Sequence, residues 1–288
     1  MSGSYVILED RGVVAVRGPE ALPFLQNIVT TDVEAVGEGA AAYGGLLTPQ
    51  GKVLFDFIIQ KAADGYLLDT PRAAVSDLAK RLGFYRLRAK VDIANLSATH
   101  RVVAAWGSDQ APDASFAADP RLPALGFRAI VASETPRLEG WTPANADAYH
   151  AYRVALGVPE GSVDFTFGDA FPHDADMDQL GGIDFRKGCY IGQEVVSRME
   201  HRGTARRRIV VASSPGHLPP PGAPITADGK PLGQLLSVAG RHGLAQIRVD
   251  RAKAAMDAGV AVLAAEVPLT LVLPQWARFG WTTGPTED

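Results

Sequence analysis

The sequence predicts an α+β protein with antiparallel sheets, followed by a small C-terminal β-barrel. In the first half, short apolar segments with a strand-like pattern are separated by helical patterns and by turns such as Ala63-Asp64-Gly65. Beyond residue 222, short strand-like segments are separated by the turns Asp228-Gly229-Lys230 and Gly240-Arg241-His242-Gly243. A chain of 288 residues, 47% of them hydrophobic, can bury more than one compact core, so size does not restrict this arrangement.

The predicted elements of the first half alternate between strands and helices. Pro19 stands at the first position of a helix in which the apolar residues Leu22, Leu25 and Ile28 recur at helical spacing. A second helix begins at Pro71, and a later one covers 146–156. We predict strands at 5–8, 13–16, 41–47, 53–60, 66–69, 89–93, 101–106 and 127–132.

Proline and glycine predict where the chain divides into domains. The segment 213–222 contains Ser-Ser-Pro-Gly and Pro-Pro-Pro-Gly, and we interpret it as a linker between an α+β region at 1–212 and a barrel at 223–281. Residues 282–288 are expected to form a flexible tail. The segment 158–188 is long and has no regular pattern, and its aromatic residues favour an ordered, functional loop.

Composition and charge limit the location and the partners of the protein. The formal net charge of −4 argues against a general nucleic-acid or membrane-surface binder, unless positive charge is concentrated locally. Cys189 is the single cysteine, which excludes an internal disulfide and a metal cage built from the cysteines of one chain. The N-terminus lacks the pattern of a secretory signal, and the apolar stretch 260–273 is too short and broken to span a bilayer. We therefore expect a cytoplasmic protein without a membrane partner.

The segment most indicative of chemistry surrounds the single cysteine. It reads Arg186-Lys187-Gly188-Cys189-Tyr190-Ile191-Gly192-Gln193-Glu194, and an apolar stripe after Gly192 predicts a helix. Cys189 is therefore expected in a glycine-flanked loop just before a helix N-terminus, where unpaired backbone N–H groups and two flanking cations favour the thiolate. The alternative is that Cys189 is a small buried apolar residue, as lone cysteines often are.

Positive charge is concentrated around this segment. Residues 184–208 contain seven basic and three acidic residues, a balance of 7 − 3 = +4 in a chain whose net charge is −4. This excess favours an anionic ligand, and the alternative is a solvated basic face.

An acidic run, His173-Asp174-Ala175-Asp176-Met177-Asp178, is similar to the start of a calcium-binding loop. Gln179 stands where the sharp turn of such a loop requires glycine, and Phe185 stands where a bidentate glutamate is needed. We therefore interpret the run as a solvated or helix-capping loop and expect no metal site.

The signature from Lys187 to Glu194 resembles that of the YgfZ family, whose members are folate-binding relatives of the glycine-cleavage T protein and include iron–sulfur assembly factors. Further similarity lies in Thr30-Thr31-Asp32-Val33, Thr48-Pro49-Gln50-Gly51-Lys52 and Leu180-Gly181-Gly182-Ile183, so the resemblance covers nearly the whole chain. It implies a T-protein-like three-part fold around a central channel, with two intertwined α/β subdomains ahead of the barrel. It also implies that tetrahydrofolate, or a one-carbon derivative of it, binds in the channel.

The resemblance also implies where folate binds and which residue is essential. The family's essential cysteine matches Cys189, and its folate contacts match Arg11 and Tyr149. The residue types suit the ligand, because amides and carboxylates pair with pterin N–H groups, aromatic rings stack and cations hold the anionic tail. For Gln193 and Glu194 the alternative is ordinary first-turn helix charge. The candidate cofactor-binding residues are Arg11, Asp56, Tyr149, Lys187, Tyr190, Gln193, Glu194 and Arg202.

We predict a tetrahydrofolate-binding protein that acts in the assembly or repair of iron–sulfur proteins, including tRNA-modifying enzymes. Cys189 would serve as a nucleophile or as a ligand to sulfur or to a cluster, with iron–sulfur client or assembly proteins as partners. A glycine-cleavage aminomethyltransferase is the alternative, but Phe55 replaces one of the paired aspartates of those enzymes and only Asp56 remains. A second alternative is an RNA- or protein-binding module that uses Arg206-Arg207-Arg208, although no interleaved aromatic residues support it.

Overall fold

A computed structural model describes residues 3–132, 137–203 and 205–281. The strands in chain order are β1 (Ser4–Ile7), β2 (Arg11–Arg17), β3 (Ala41–Leu47), β4 (Val53–Ala62), β5 (Gly65–Pro71), β6 (Asp92–Asn95), β7 (Arg101–Trp106), β8 (Ala117–Ala118), β9 (Phe127–Val131), β10 (Thr142–Pro143), β11 (Arg207–Ser213), β12 (Pro224–Ala227), β13 (Lys230–Ala239), β14 (His242–Arg248), β15 (Val262–Ala264) and β16 (Val267–Val272). The α-helices are α1 (Ala21–Gln26), α2 (Val75–Arg86), α3 (Ala146–Ala155), α4 (Gln193–Arg202) and α5 (Val249–Asp257). The tail predicted at 282–288 lies outside the described residues.

The chain forms two compact units, and each is built from segments that are not contiguous in the sequence. The first unit contains the residues up to Tyr149 together with Leu180–Gln193. The second contains His150–Gln179 and the residues from Glu194 onward.

The first unit consists mainly of two antiparallel sheets with helices. One sheet has the strand order β3-β4-β5-β2-β6, and the other has the order β10-β1-β7-β9-β8, in which β1 and β10 pair in parallel. Val13, Phe57 and Leu68 of the first sheet are fully buried and belong to the core of this unit. Apolar side chains on strands that pair antiparallel are the pattern that the sequence predicts for this region.

The second unit is built around a closed barrel with the strand order β11-β14-β13-β12-β15-β16. The barrel closes where β16 pairs antiparallel with β11, for example Val272 opposite Val211. Val210, Leu235 and Ile247 fill its core. Closure removes the exposed strand edges that a small open sheet would present.

The predicted fold class, α+β with antiparallel sheets and a C-terminal barrel, is confirmed. Strands β3 and β7 occupy the ranges predicted for them. The strand predicted at 89–93 differs, because β6 begins only at Asp92. The chain turns before that point, since Leu87 has a positive φ of 46° and the Val91 N–H donates to Ala89 O at 2.9 Å.

The barrel begins earlier in the chain than the sequence predicts. Its first strand, β11, precedes the Pro/Gly segment 213–222, which therefore connects two strands of the barrel instead of linking two domains. Residues 150–179 also belong with the barrel, through bonds such as that from the Ile209 N–H to Asp176 Oδ2 at 3.1 Å. Proline and glycine mark where a chain leaves a strand, but they do not indicate which body the flanking strands join.

Candidate functional site

Cys189 lies in the segment 182–192, which belongs to the first unit and leads into α4; we call this segment the cysteine loop. The thiol is exposed, so the alternative of a buried apolar cysteine does not hold. Asp184 shapes the start of the loop, because its Oδ1 accepts hydrogen bonds from the backbone N–H groups of Arg186 (2.7 Å) and Lys187 (3.1 Å). A carboxylate that bonds the backbone two and three residues ahead sets the direction in which the chain continues towards the cysteine.

The Lys187 side chain anchors the loop to the end of α1 and to the segment that follows it. Its Nζ donates to the backbone carbonyl oxygens of Gln26 (2.8 Å), Val29 (2.7 Å) and Thr31 (2.7 Å). An ammonium group has three N–H donors, and these three bonds use all of them. Lys187 therefore stabilises the loop, and its geometry does not support the predicted contact with folate.

The environment of Lys187 also changes its protonation. Burial lowers the pKa of Lys187 to about 8, although the carboxylates of Asp32, Asp184 and Glu34 act in the opposite direction. The side chain thus still carries its charge at pH 7, as the sequence analysis expects. Lys187 lies two residues before Cys189 in the sequence, but its charge is directed at the backbone carbonyl oxygens of a distant segment.

Gly192 holds the other end of the loop against a tight turn. Its φ is +82°, a conformation that residues with a side chain rarely adopt, and an added Cβ would lie 2.5 Å from Thr48 O and 3.1 Å from Gly51 Cα. The turn itself is closed by a hydrogen bond from the Gly51 N–H to Thr48 O at 2.9 Å. Gly188, by contrast, has open space where a Cβ would stand. Close packing therefore requires glycine at 192 and not at 188.

Sequence motifs that are far apart in the chain meet at the cysteine loop. In Thr30-Thr31-Asp32-Val33, the Thr30 hydroxyl donates to the carbonyl oxygen of Gly182 at 2.6 Å. Gly182 belongs to the motif 180–183, and the turn that meets Gly192 belongs to the motif 48–52. These motifs are thus parts of one scaffold around the exposed cysteine.

Tyr190 is buried directly after the exposed cysteine. Its hydroxyl group is enclosed and makes no hydrogen bond to any of the described residues. Burial raises the pKa of Tyr190 above its usual value, and Asp184 adds to this effect. A buried donor without an acceptor is unusual in a folded protein and marks a position where a ligand could complete the hydrogen bonding.

The remaining predicted residues of the signature lie on α4 and do not form a pocket in the described contacts. Gln193 is half-buried, whereas Glu194 is 84% exposed and pairs with Arg198 one helical turn later at 2.6 Å. Arg202 is exposed at the end of the same helix. For Glu194 this is the ordinary helix-surface charge that the sequence analysis left open as the alternative.

Arg11 and Tyr149 lie in a buried ionic network of the first unit. Arg11 Nε donates to Asp69 Oδ1 at 2.6 Å, and the other oxygen of Asp69 accepts from Arg128 Nε. Tyr149 is 1% exposed, and its hydroxyl oxygen accepts from Arg128 Nη1 (3.1 Å) and Arg121 Nη2 (3.2 Å). The structure thus brings together two residues that are 138 positions apart (149 − 11) in the sequence.

The network continues to a second carboxylate. Asp119 accepts from Arg121 Nε at 3.0 Å and from Arg121 Nη2 at 2.7 Å. Burial alone would raise the pKa of Asp119, but the two bonds from Arg121 outweigh it and the pKa is lowered. Three arginines and two aspartates of this network therefore lie buried together.

Asp56 lies in the same unit, on β4. Its Oδ2 accepts a hydrogen bond from the Tyr43 hydroxyl at 3.0 Å, and both residues are buried. Burial raises the pKa of Tyr43 well above its usual value, and the adjacent Asp56 adds to this effect. Phe55, the neighbour that replaces the second aspartate, is buried as well.

Four members of the ionic network were not predicted from the sequence. Arg128 is the most informative of them, because it is 1% exposed and its Nη2 atom is enclosed without a hydrogen-bond partner among the described residues. An arginine inside the apolar run Phe-Arg-Ala-Ile-Val was the available signal, since a cation in a buried strand requires partners. The missed residues are Asp69, Asp119, Arg121 and Arg128.

The second unit contains a different ionic cluster. Arg208 is buried and donates to Asp178 Oδ1 (2.6 Å), Asp178 Oδ2 (3.0 Å) and Asp176 Oδ1 (3.3 Å). Burial raises the pKa of Asp176 well above its usual range, despite the opposing effect of Arg208. Arg206 and Arg207 are exposed, whereas Arg208 is buried. The three consecutive arginines therefore do not form one surface patch.

Two further features of the second unit lie outside the predicted site. Donor atoms of His173, Asp178 and Glu200 lie within 4.8 Å of one another, a spacing that could hold a metal ion. However, Arg208 occupies both Asp178 oxygens and His173 Nε2 lies 3.0 Å from Glu200 Oε2, so ion pairing and hydrogen bonding account for the cluster. A polar cavity of about 330 Å³ is lined by other residues, among them Asp164, and by none of the predicted site residues.

Two family models match separate parts of the chain. Residues 9–114 match the GCVT N-terminal domain, and residues 206–279 match the C-terminal beta-barrel domain of CAF17. The aminomethyltransferase T of the glycine cleavage system from Bartonella henselae has a similar structure, with a TM-score of 0.72 at 16% identity, covering 95% of this chain and 86% of that one. At this identity the similarity establishes the fold alone.

Curated relatives are iron–sulfur cluster assembly factors. The mitochondrial factor IBA57 of Homo sapiens is 30% identical, and the alignment covers 93% of this chain and 84% of the human protein. The corresponding protein of Mus musculus gives the same values. The mitochondrial IBA57 homologue of Neurospora crassa is 35% identical over 70% of this chain, and the match spans about half (52%) of that fungal protein.

These relatives contradict the predicted cytoplasmic location. The human, mouse and Neurospora proteins are all named as mitochondrial, so the prediction was wrong. The prediction relied partly on the single cysteine, which argues for a reducing environment. A single cysteine does not distinguish the cytosol from other reducing compartments.

Proposed function

The chain belongs to the family of the IBA57 iron–sulfur cluster assembly factors, and we propose that it acts in the assembly or repair of iron–sulfur proteins through Cys189. The observation that supports this role most directly is the position of the cysteine. An exposed thiol stands on a loop that is held by Lys187 on one side of the cysteine and by Gly192 on the other. Such a sulfur is accessible to a second protein while its own backbone stays in place.

The number of cysteines implies how the thiol takes part. Iron–sulfur clusters are usually held by four cysteine thiolates, and this chain has one. A cluster can therefore contact Cys189 only while other ligands come from a partner, such as an assembly or client protein. Within this proposal the cluster is cargo in transit, and tRNA-modifying enzymes are one class of client.

The decisive test replaces Cys189 by serine. Because the side chain is exposed, Cys189→Ser should leave the thermal unfolding temperature unchanged, while the protein no longer restores iron–sulfur enzyme activity in cells that lack their own IBA57-type factor. Gly188→Ala is the matched control in the same loop, since nothing lies near an added Cβ there. Full restoration by Cys189→Ser would refute the role of the thiol.

Folate is the cofactor that we propose, and the first unit offers residues that fit it. Arg128 Nη2 and the Tyr190 hydroxyl are enclosed donors without a partner among the described residues, and both could bond acceptors of a pterin or a carboxylate tail. Arg11, Asp56 and Tyr149 would act through the buried networks to which they belong. When bound, tetrahydrofolate supplies a reduced pterin that can carry a one-carbon unit.

Tyr190→Phe tests this fit with little risk to folding. Removal of a buried hydroxyl without a partner should raise the free energy of unfolding by about 1 kcal/mol, because its desolvation cost disappears. The same change should weaken tetrahydrofolate binding about tenfold, as expected for one lost hydrogen bond to a ligand. Calorimetry and urea denaturation measure the two effects. Equal folate affinity in both proteins would remove Tyr190 from the site, and the absence of any heat with the wild type would end the folate proposal.

The two alternatives have less support from the described contacts. Aminomethyl transfer is disfavoured because the single Asp56 is bonded to Tyr43 and its neighbour is Phe55. An RNA-binding patch at 206–208 is disfavoured because Arg208 is buried in ion pairs. Turnover of aminomethyl-lipoate by the wild type, or salt-dependent RNA binding without a response to folate, would revive one or the other.

A further inference from the structure

The end of helix α2 presents a surface that the proposed function does not use. The helix packs Val75, Leu78 and Leu82 against its own unit. In its last turn and at its C-terminal cap, however, Phe84 is 62% exposed and Leu87 is 87% exposed. Single exposed apolar residues are common on protein surfaces, so exposure alone would carry no conclusion.

Leu87 is also strained. Its backbone has φ 46° and ψ −105°, in a region that favours glycine, and it directly follows the last helical residue, Arg86. Glycine is the usual residue at the end of a helix when the chain takes a positive φ. A large apolar side chain that is held in a glycine conformation and faces solvent contributes little to the fold, so a role in binding is the better explanation.

Positive charge is concentrated in the chain segment that carries the two apolar side chains. From Leu78 to Lys90 the chain contains five basic residues and no acidic residue. All five are exposed, and none of them makes an ion pair with another described residue. The five are Lys80, Arg81, Arg86, Arg88 and Lys90.

We propose that this end of α2 docks on the surface of an anionic lipid bilayer. Lipid headgroups supply many negative charges to a short basic segment, and the acyl boundary accepts a few apolar side chains that project from it. Phe84 and Leu87 would enter the headgroup region while the five cations contact the phosphates. The net charge of −4, from which we expected no membrane partner, averages over the chain and does not show this local excess of +5.

Other anionic partners match these observations less well. A single-stranded nucleic acid would stack on Phe84 but offers no environment for an exposed leucine. A protein partner usually buries about 800 Å² on each side with an apolar core, and two projecting side chains do not supply such a core. None of the helices within the described ranges has both the length and the apolar run needed to cross a bilayer, so the contact would be peripheral.

The test uses the full-length protein and two kinds of vesicle, phosphatidylcholine alone and phosphatidylcholine with 30% phosphatidylglycerol. The wild type should sediment with the anionic vesicles and not with the neutral ones, and added salt should reduce binding. Phe84→Ser/Leu87→Ser and Lys80→Glu/Arg86→Glu should each lower the vesicle affinity by about tenfold or more. Val272→Ser removes an apolar side chain that is 52% exposed on the barrel, and it should bind as well as the wild type.

Leu87→Gly provides a second measurement with an opposite sign. Glycine relieves the backbone strain, so the variant should unfold at a higher temperature than the wild type while it binds anionic vesicles more weakly. Equal binding to neutral and anionic vesicles would overturn the proposal, as would full binding by the Phe84/Leu87 variant. Binding to poly-glutamate or to poly-uridylate RNA without vesicle binding would also overturn it and would point to an acidic protein or to RNA instead. None of these outcomes depends on Cys189.

Discussion

The cysteine loop and the start of the barrel each hold a basic side chain inside the protein, but the chemistry differs. Lys187 is half-buried and bonds three neutral carbonyl oxygens. Arg208 is buried and bonds the carboxylates of Asp176 and Asp178. The two residues are 21 positions apart in the sequence (208 − 187) and belong to different units.

This difference shows what each cation contributes. The Arg208 guanidinium is paired with two carboxylates, so the group serves the fold and offers little to a ligand. At Lys187 the hydrogen-bond partners are carbonyl dipoles without net charge, so the lysine holds the backbone of the cysteine loop in place without forming an ion pair through these bonds.

The largest expected effect is at the barrel. Arg208→Met leaves two buried carboxylates without their cation, and the free energy of unfolding should fall by about 3–5 kcal/mol. Arg207→Met is the matched control, because its exposed side chain should contribute less than about 0.5 kcal/mol. Urea denaturation of both variants measures the difference. Similar losses in the two variants would show that the Arg208 cluster does not stabilise the barrel.

An intermediate effect is expected at the cysteine loop. Gly192→Ala forces a Cβ to within 2.5 Å of Thr48 O at a positive φ, and it should lower the free energy of unfolding by about 2 kcal/mol. Gly188→Ala places its Cβ in open space and should be nearly neutral. The same pair should differ in the cellular iron–sulfur assay, because only the first change displaces the loop. If both variants are equally stable and active, the close contact at Gly192 does not position Cys189.

The smallest effect is the pH dependence that Lys187 produces. Its pKa of about 8 in the folded protein lies below the value of about 10.4 for an unperturbed lysine. Between these values the unfolded chain binds more protons than the folded one, so this group makes the free energy of unfolding rise with pH across that window. Lys187→Met removes this pH-dependent contribution. Between pH 8 and pH 10, the free energy of unfolding of the wild type should therefore rise relative to that of the variant. A shift in the opposite direction would mean that the hydrogen bonds to the three carbonyl oxygens raise the pKa of Lys187 by more than burial lowers it.

Local patterns in the sequence predicted much of the fold and the place of the cysteine. Strands β3 and β7 match their predicted ranges, and α4 begins directly after Gly192 as expected. These predictions succeed because alternation, helical spacing and glycine act over a few neighbouring residues. The thiol is also exposed ahead of a helix, as the glycine-flanked motif suggested.

The structure brings some of the predicted site residues together and separates others, for a related reason. Arg11 and Tyr149 do lie in one network, but they are joined by Arg128, which no local pattern connects to either. Lys187 was expected at a ligand and is bonded to the end of α1 and to the segment that follows it. A charged residue selects its partners by distance in space, and the sequence around it does not show where those partners are.

By itself, the sequence determined the α+β class, the presence of a terminal barrel and a single cysteine bracketed by glycines, because each depends on composition or on short-range order. The tertiary structure alone decided that Lys187 caps backbone carbonyls, that Arg208 is buried and that β11 belongs to the barrel. The physical reason is that burying a charge, or closing a barrel, requires groups from distant parts of the chain to come together. Only the folded chain shows which groups those are.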